Sequence, residues 1–185
     1  MKTLLILLLT LSVALAVDSP NGLYSTTTTV GEFNVRSMVL KKGSKIIFSV
    51  GSGYGGFQDI QWSPDSKYLA VVDHGIKTMM ILDVYRVDGE SVTKVDLPDY
   101  RLNILGRYQL FEGGRYWFDK TLKWEAPSKL LFETTGSLKD GSSNPTDDPD
   151  NWYSFEVGIS FNDLRAVLLS VKKTKQAQQV VAPDR

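Results

Sequence analysis

The chain has 185 residues, with 21 Lys and Arg against 21 Asp and Glu, one His and no Cys. That charge balance points away from nucleic acid and from anionic membrane surfaces. The missing cysteines exclude disulfides, thiol catalysis and Cys-ligated metals, so packing alone must hold the chain.

The first predicted element is a leader. Lys2 supplies a positive start, Leu4 to Ala16 is an apolar run, and "ALA" at Ala14 to Ala16 offers a small-x-small cleavage site. These are the parts of a secretory signal peptide. A membrane span needs roughly 20 apolar residues, whereas this run stops at Val17 and meets "DSPNG". Residues 1–16 are therefore expected to be removed after Ala16, leaving a secreted or periplasmic protein with no membrane insertion. The remaining residues 17–185 fit one domain by size. Lys2 leaves with the leader, so the formal charge becomes slightly acidic.

Beyond the leader no stretch keeps a 3.6-residue apolar period. Short β-branched and aromatic runs alternate with Gly, Asp, Asn and Pro. The pattern predicts strands near residues 28–30, 33–40, 45–50, 58–62, 68–72, 78–87, 91–96, 116–124, 130–134, 152–161 and 165–172. Between them, "SPDSK" places Pro64 and Asp65 in a turn, Asp88-Gly89 is a hairpin signal, and Asn162-Asp163 suits another tight turn. From Trp152 to Phe161 the alternation is clean, with Tyr153, Phe155, Val157, Ile159 and Phe161 on one face. "YLAVV" and "MMIL" are apolar on both faces and predict central strands covered on two sides. The expected fold is all-β: antiparallel meander sheets, with two blade-like units packed face to face as an incomplete propeller or a sandwich-like body.

An internal echo supports two units. "IQWSPDSKYLAVVD" (Ile60 to Asp73) lies over "LKWEAPSKLLFETT" (Leu122 to Thr135), with Trp62 and Trp124 aligned. The possible repeats span residues 58–97 and 120–173. "WSPDSKYLAVV" followed by "TMMILDVYRVDGES" resembles the WD40-like repeat of TolB and dipeptidyl-peptidase-IV type β-propellers. Ser63, Pro64 and Asp65 match the turn of that repeat, Ser66 stands where Gly is usual, and Asp83-Val84 falls at its third-strand motif. The resemblance implies blade-like sheets and an exported setting. A closed propeller takes about 4–8 blades, so two copies imply no closed ring. The resemblance transfers no active site either, because the peptidases of that type carry their catalytic residues in a separate hydrolase domain.

Chemistry has few candidates. His74, beside Asp73, reads as a loop or surface residue because adjacent strand residues point to opposite faces. A single His also excludes the common multi-His metal sites. "GSGYGG" from Gly51 to Gly56 is neither a P-loop nor a dinucleotide fingerprint. It reads as a flexible loop or bulge presenting Tyr54 at a mobile tip. Asp147, Asp148 and Asp150 in "GSSNPTDDPDN" are weak candidates for a cation site. Trp124, Trp152 and Tyr153 join Tyr116 and Trp117, with Arg107 and Arg115 nearby, in a run of residue types that anchor interfaces but are first of all core material, and Trp62 and Trp124 are core in either reading. Tyr54, Arg115, Tyr116 and Trp117 are accordingly the candidate partner-binding residues.

These readings lead to an exported, non-catalytic β-protein that acts by binding another protein and needs no cofactor. One alternative is an assembly subunit whose blades complete a ring in an oligomer. Another is a hydrolase using carboxylates such as Asp73 and Asp148.

Overall fold

The Ser63–Lys67 turn shows how local chemistry starts a strand pair. Ser66 N donates to Ser63 O (2.9 Å) and Ser63 N to Tyr68 O (2.8 Å). Ser63 Oγ donates to Asp65 Oδ1 (2.7 Å) and accepts from Tyr68 N (2.9 Å). Ser66 has a φ of 60°, the left-handed conformation that explains why Gly is usual there.

The structure, a computed structural model, describes residues 16–30, 36–140 and 152–176. Apart from Ala16, the predicted leader lies outside the described residues. Strands β1 (Ala16–Asp18), β2 (Tyr24–Val30), β3 (Arg36–Lys42) and β4 (Lys45–Ser52) form a four-stranded antiparallel meander. A second meander holds β5 (Gly56–Trp62), β6 (Tyr68–Ile76), β7 (Met79–Asp88) and β8 (Ser91–Lys94). Helix α1 (Tyr100–Tyr108) leads to the third: β9 (Leu110–Ala126), β10 (Lys129–Asp140), β11 (Trp152–Asn162) and β12 (Arg165–Gln176). A short parallel pairing of Met79 and Met80 with Trp117 and Phe118 joins the second and third meanders into one eight-stranded sheet.

The all-β expectation holds, with antiparallel meanders and stacked sheet faces. Its two units are the second and third meanders. A further meander precedes them, which the Thr-rich β2 conceals because "STTTT" shows no apolar alternation. Trp62 and Trp124 occupy equivalent places, each just before the first turn of its meander.

The second meander is covered on both faces. From β6, Leu69 and Val71 enter one apolar cluster with Tyr24, Met38, Leu40 and Trp62. Tyr68, Ala70 and Val72 enter another with Tyr100, Ile104, Phe132 and Phe155. Each fully buried Val or Leu contributes about 1.5–3 kcal/mol, so the doubly apolar "YLAVV" is the centre of the fold. "MMIL" behaves differently: Leu82 is buried, but Ile81 is 39% exposed and Met79 and Met80 are half-buried, because β7 reaches the open end of the sheet there.

On β11 the predicted face is buried throughout. Two residues of the opposite face are buried too. Ser154 Oγ lies 2.9 Å from Thr135 Oγ1. A Cβ on Gly158 would sit 2.6 Å from Ser170 Oγ and 3.1 Å from Leu131 Cδ2.

Helix α1 was not expected from the periodicity. Asp99 caps it by accepting from Leu102 N (2.9 Å), as short polar N-caps do. Tyr100 and Ile104, one turn apart, are its buried residues.

Candidate binding surface

Strand β9 decides which side chains face outward. Asp119 is fully buried and accepts from Leu82 N (3.0 Å), Tyr100 Oη (2.5 Å), Arg101 Nη2 (3.2 Å) and Thr134 Oγ1 (2.7 Å). Burial, reinforced by the Asp119 charge, pushes the Tyr100 phenol well above its ordinary range, so Tyr100 stays a donor. A carboxylate held by four donors fixes its strand face. Alternation then sends Trp117 and Asp119 inward, and Tyr116 and Phe118 outward.

Outside, a row of rings crosses from the second meander to the third. The Tyr54 and His74 centroids are 5.2 Å apart at 72°, and those of His74 and Phe118 are 6.4 Å apart at 80°. Phe118 stacks on Trp152 at 5.9 Å and 13°, and Tyr116 lies 5.8 Å from Trp152. Tyr54 is 59% exposed, and the other four are half-buried. The row lies at the end of the sheets that holds the β4–β5 loop and the β6–β7 hairpin. The Pro64 turn is at the opposite end of β5.

The "GSGYGG" loop is strapped down rather than mobile. Tyr54 N donates to Gly75 O (3.0 Å) and Gly55 N to His74 O (2.7 Å). Arg36 Nη1 donates to Gly55 O (2.6 Å). A Cβ on Gly53 would collide with Gly75 O, and one on Gly55 with the His74 ring. The glycines therefore permit close backbone approach, and Tyr54 is presented from a fixed platform.

Asp73 and His74 do not pair. Ser52 Oγ donates a short hydrogen bond to Asp73 Oδ1, whereas His74 Nε2 lies 3.3 Å from Lys77 O and its ring joins the row. Among the described residues no hydrogen bond joins Ser52 to His74, and no group of three or more His, Asp or Glu could hold a metal ion. No described helix is long and apolar enough to cross a membrane.

The predicted partner-binding residues separate. Tyr54 and Tyr116 form the two ends of the row. Trp117 is buried in the core, with the Arg101 guanidinium 5.3 Å from its ring, so it leaves the candidate set. The side chain of Arg115 lies outside the described residues, as do Asp147, Asp148 and Asp150. Tyr153 faces the core, and Trp124 stacks with Tyr68 at the Pro64 end. Phe118 and His74 are additions. The local signal for Phe118 was its spacing of two from Tyr116, whereas the approach of His74 depends on the β7–β9 junction.

No protein-family model and no curated protein matches the chain. Among solved structures it is similar to an acylaminoacyl peptidase from Pyrococcus horikoshii, at 13% identity and a TM-score of 0.43. That likeness covers 81% of this chain and 23% of the peptidase. It is also similar to a TolB-like protein from Agrobacterium tumefaciens, at 13% identity and a TM-score of 0.32, over 84% of this chain and 64% of that one. The chain thus spans under a quarter of the first protein and under two thirds of the second, and likenesses this distant carry no argument about its chemistry.

Proposed function

We propose that this chain is an exported binding module that docks another protein on the Tyr54–His74–Phe118–Trp152–Tyr116 row and performs no reaction itself. The observation that carries this reading is the row: five neighbouring rings, one exposed and four half-exposed, built from three strands and a strapped loop. Half-buried aromatics give large, stiff contact area at low entropic cost. The leader-like residues 1–16 support export. The same reading takes the three meanders as blades of an open propeller arc, with the Trp62 and Trp124 segments as related repeats.

The test compares the wild-type chain with a Phe118→Ala/Trp152→Ala double variant as bait in an extracellular or envelope extract. A partner retained by the wild type and lost by a variant with an unchanged circular dichroism spectrum supports the row. Tyr54→Ser, at an exposed position, should weaken the same capture without touching the fold. A partner held equally by all three proteins, or no specific partner, overturns the reading. For export, the secreted protein should begin at Val17 by N-terminal sequencing, and a chain retained in the cytoplasm with Met1 intact would refute it.

A further inference from the structure

The ring row carries three hydrogen-bond donors with nothing to donate to. Tyr54 Oη, Tyr116 Oη and Trp152 Nε1 make no hydrogen bond to another described residue. His74 Nε2 lies against Lys77 O (3.3 Å), and the backbone donors Tyr54 N and Gly55 N are taken by Gly75 O and His74 O. Whatever covers the row must therefore bring acceptors, because a donor shut away from water without one loses its hydration and gains nothing.

The rings are stepped rather than flat. His74 stands at 72° to Tyr54 and at 80° to Phe118, while Phe118 and Tyr116 lie 6.3 Å apart and both adjoin Trp152. Two steps, of 5.2 and 6.4 Å, lead from Tyr54 to Phe118, a span into which about one polyproline II turn of roughly 9 Å fits. Charge at the Tyr54 end has one sign. Arg36 reaches Gly55 O, and Lys77 follows His74 in the β6–β7 hairpin. Both are exposed, and neither forms an ion pair among the described residues.

We infer that the occupant of the row is a proline-rich segment of the partner, in the polyproline II conformation and flanked by a carboxylate. This rests on the docking reading above and names the partner's chemistry. A polyproline II helix has no internal hydrogen bonds, so its carbonyl oxygens are free to accept. Its prolines bring no N–H that would need an acceptor in return. Aromatic-lined grooves are the usual receptors for such segments. An added β-strand fits less well, since it needs a ladder of free backbone groups and Tyr54 N and Gly55 N are already bonded. An α-helix satisfies its own carbonyls and would leave the three donors unmet. A sugar chain has hydroxyls that donate as well as accept, and no row residue has a carboxylate or carboxamide to receive them. Arg36 and Lys77 complement the flanking acid.

The test is fluorescence anisotropy of dye-labelled peptides titrated with the full chain, followed by competition in the capture experiment. The probe is a decaproline with an Asp-Asp end. It should bind saturably, and roughly threefold more tightly than the same peptide with a Lys-Lys end. Trp152→Phe, Tyr54→Phe and Tyr116→Phe each keep a ring and remove one donor. Each should weaken binding about threefold to tenfold with the melting temperature unchanged. Lys77→Glu should abolish the preference for Asp over Lys, and excess unlabelled peptide should release a captured partner. A wild type that does not bind the probe overturns the inference. So do ring-keeping variants that bind it as well as the wild type does, or a neutral glucose hexasaccharide that binds the row in its place. The docking reading fails separately. Capture that depends on Phe118 and Trp152 but is not released by the peptide keeps that reading and overturns this one. Donor-dependent peptide binding with no protein captured does the reverse.

Discussion

Thr26, in the seam between the first and second meanders, and Thr134, in the seam between the second and third, are both fully buried. Thr134 Oγ1 donates to Asp119 at 2.7 Å. Thr26 Oγ1 has no hydrogen-bond partner, and neither does Trp62 Nε1 in the same seam. The first seam is packed chiefly through rings, with Tyr24 stacked on Trp62 at 5.5 Å and Phe48 on Tyr85 at 4.9 Å, and the directional bonds inside it are part-buried ones, from Ser52 Oγ to Asp73 and from Asn21 N to Ser66 Oγ (3.0 Å). The second seam adds a carboxylate that ties β7, α1, β9 and β10 together. Stacking two sheets needs only apolar faces. Fixing a helix and the direction of a long strand in the same seam calls for directional bonds, and β9 is the strand that presents the ring row.

The largest expected effect comes from cutting the second seam at its centre. Asp119→Ala leaves the Arg101 guanidinium, the Tyr100 hydroxyl and Leu82 N without their acceptor. Breaking a buried pair in this way costs about 3–5 kcal/mol, read as a fall in the urea midpoint. A loss under about 1 kcal/mol would mean that the network is incidental to the seam. The two threonines give the next test, with opposite signs. Thr134→Val removes a donor to a carboxylate and should destabilise by about 1.5–3 kcal/mol, whereas Thr26→Val removes an unsatisfied buried hydroxyl and should stabilise by about 1 kcal/mol. Equal losses at both sites would erase the contrast between the seams.

Much of the second meander was legible because its signals are local. The Ser-Pro-Asp turn, the Asp88-Gly89 hairpin with Gly89 at a φ of 63°, and the doubly apolar β6 each depend on neighbours within a few residues. Helix α1 was not legible: nine residues give only about two and a half turns, and Leu102, 66% exposed, spoils its apolar stripe. The inward turn of Trp117 was hidden for a different reason. Alternation says that Trp117 and Phe118 face opposite ways, but only the Asp119 partners from three other elements decide which of them faces in. The ring row has the same character, since Tyr54, His74, Phe118 and Trp152 meet only after the second and third meanders join.

The smallest effect concerns the first seam's own carboxylate. Asp73 on β6 takes a short bond from Ser52 at the end of β4, one donor where Asp119 has four. Burial, together with Asp83, pushes the Asp73 carboxyl above the usual carboxylate range, and the Ser52 bond and His74 only partly offset them. The folded chain therefore keeps this proton at a pH where the unfolded chain has lost it. Stability should fall as pH rises from the usual carboxylate pKa to the raised folded value, and level off above it. Asp73→Asn keeps an acceptor for Ser52 and removes the titration. The variant should lose that slope and be slightly the more stable protein above the window. The gain should be well under about 1 kcal/mol, because this partly exposed group is screened by solvent. Urea midpoints of both proteins from about pH 3.5 to 7 read it directly. Parallel curves would show that burial at Asp73 is fully compensated, and the contrast between the seams would then rest on their threonines alone.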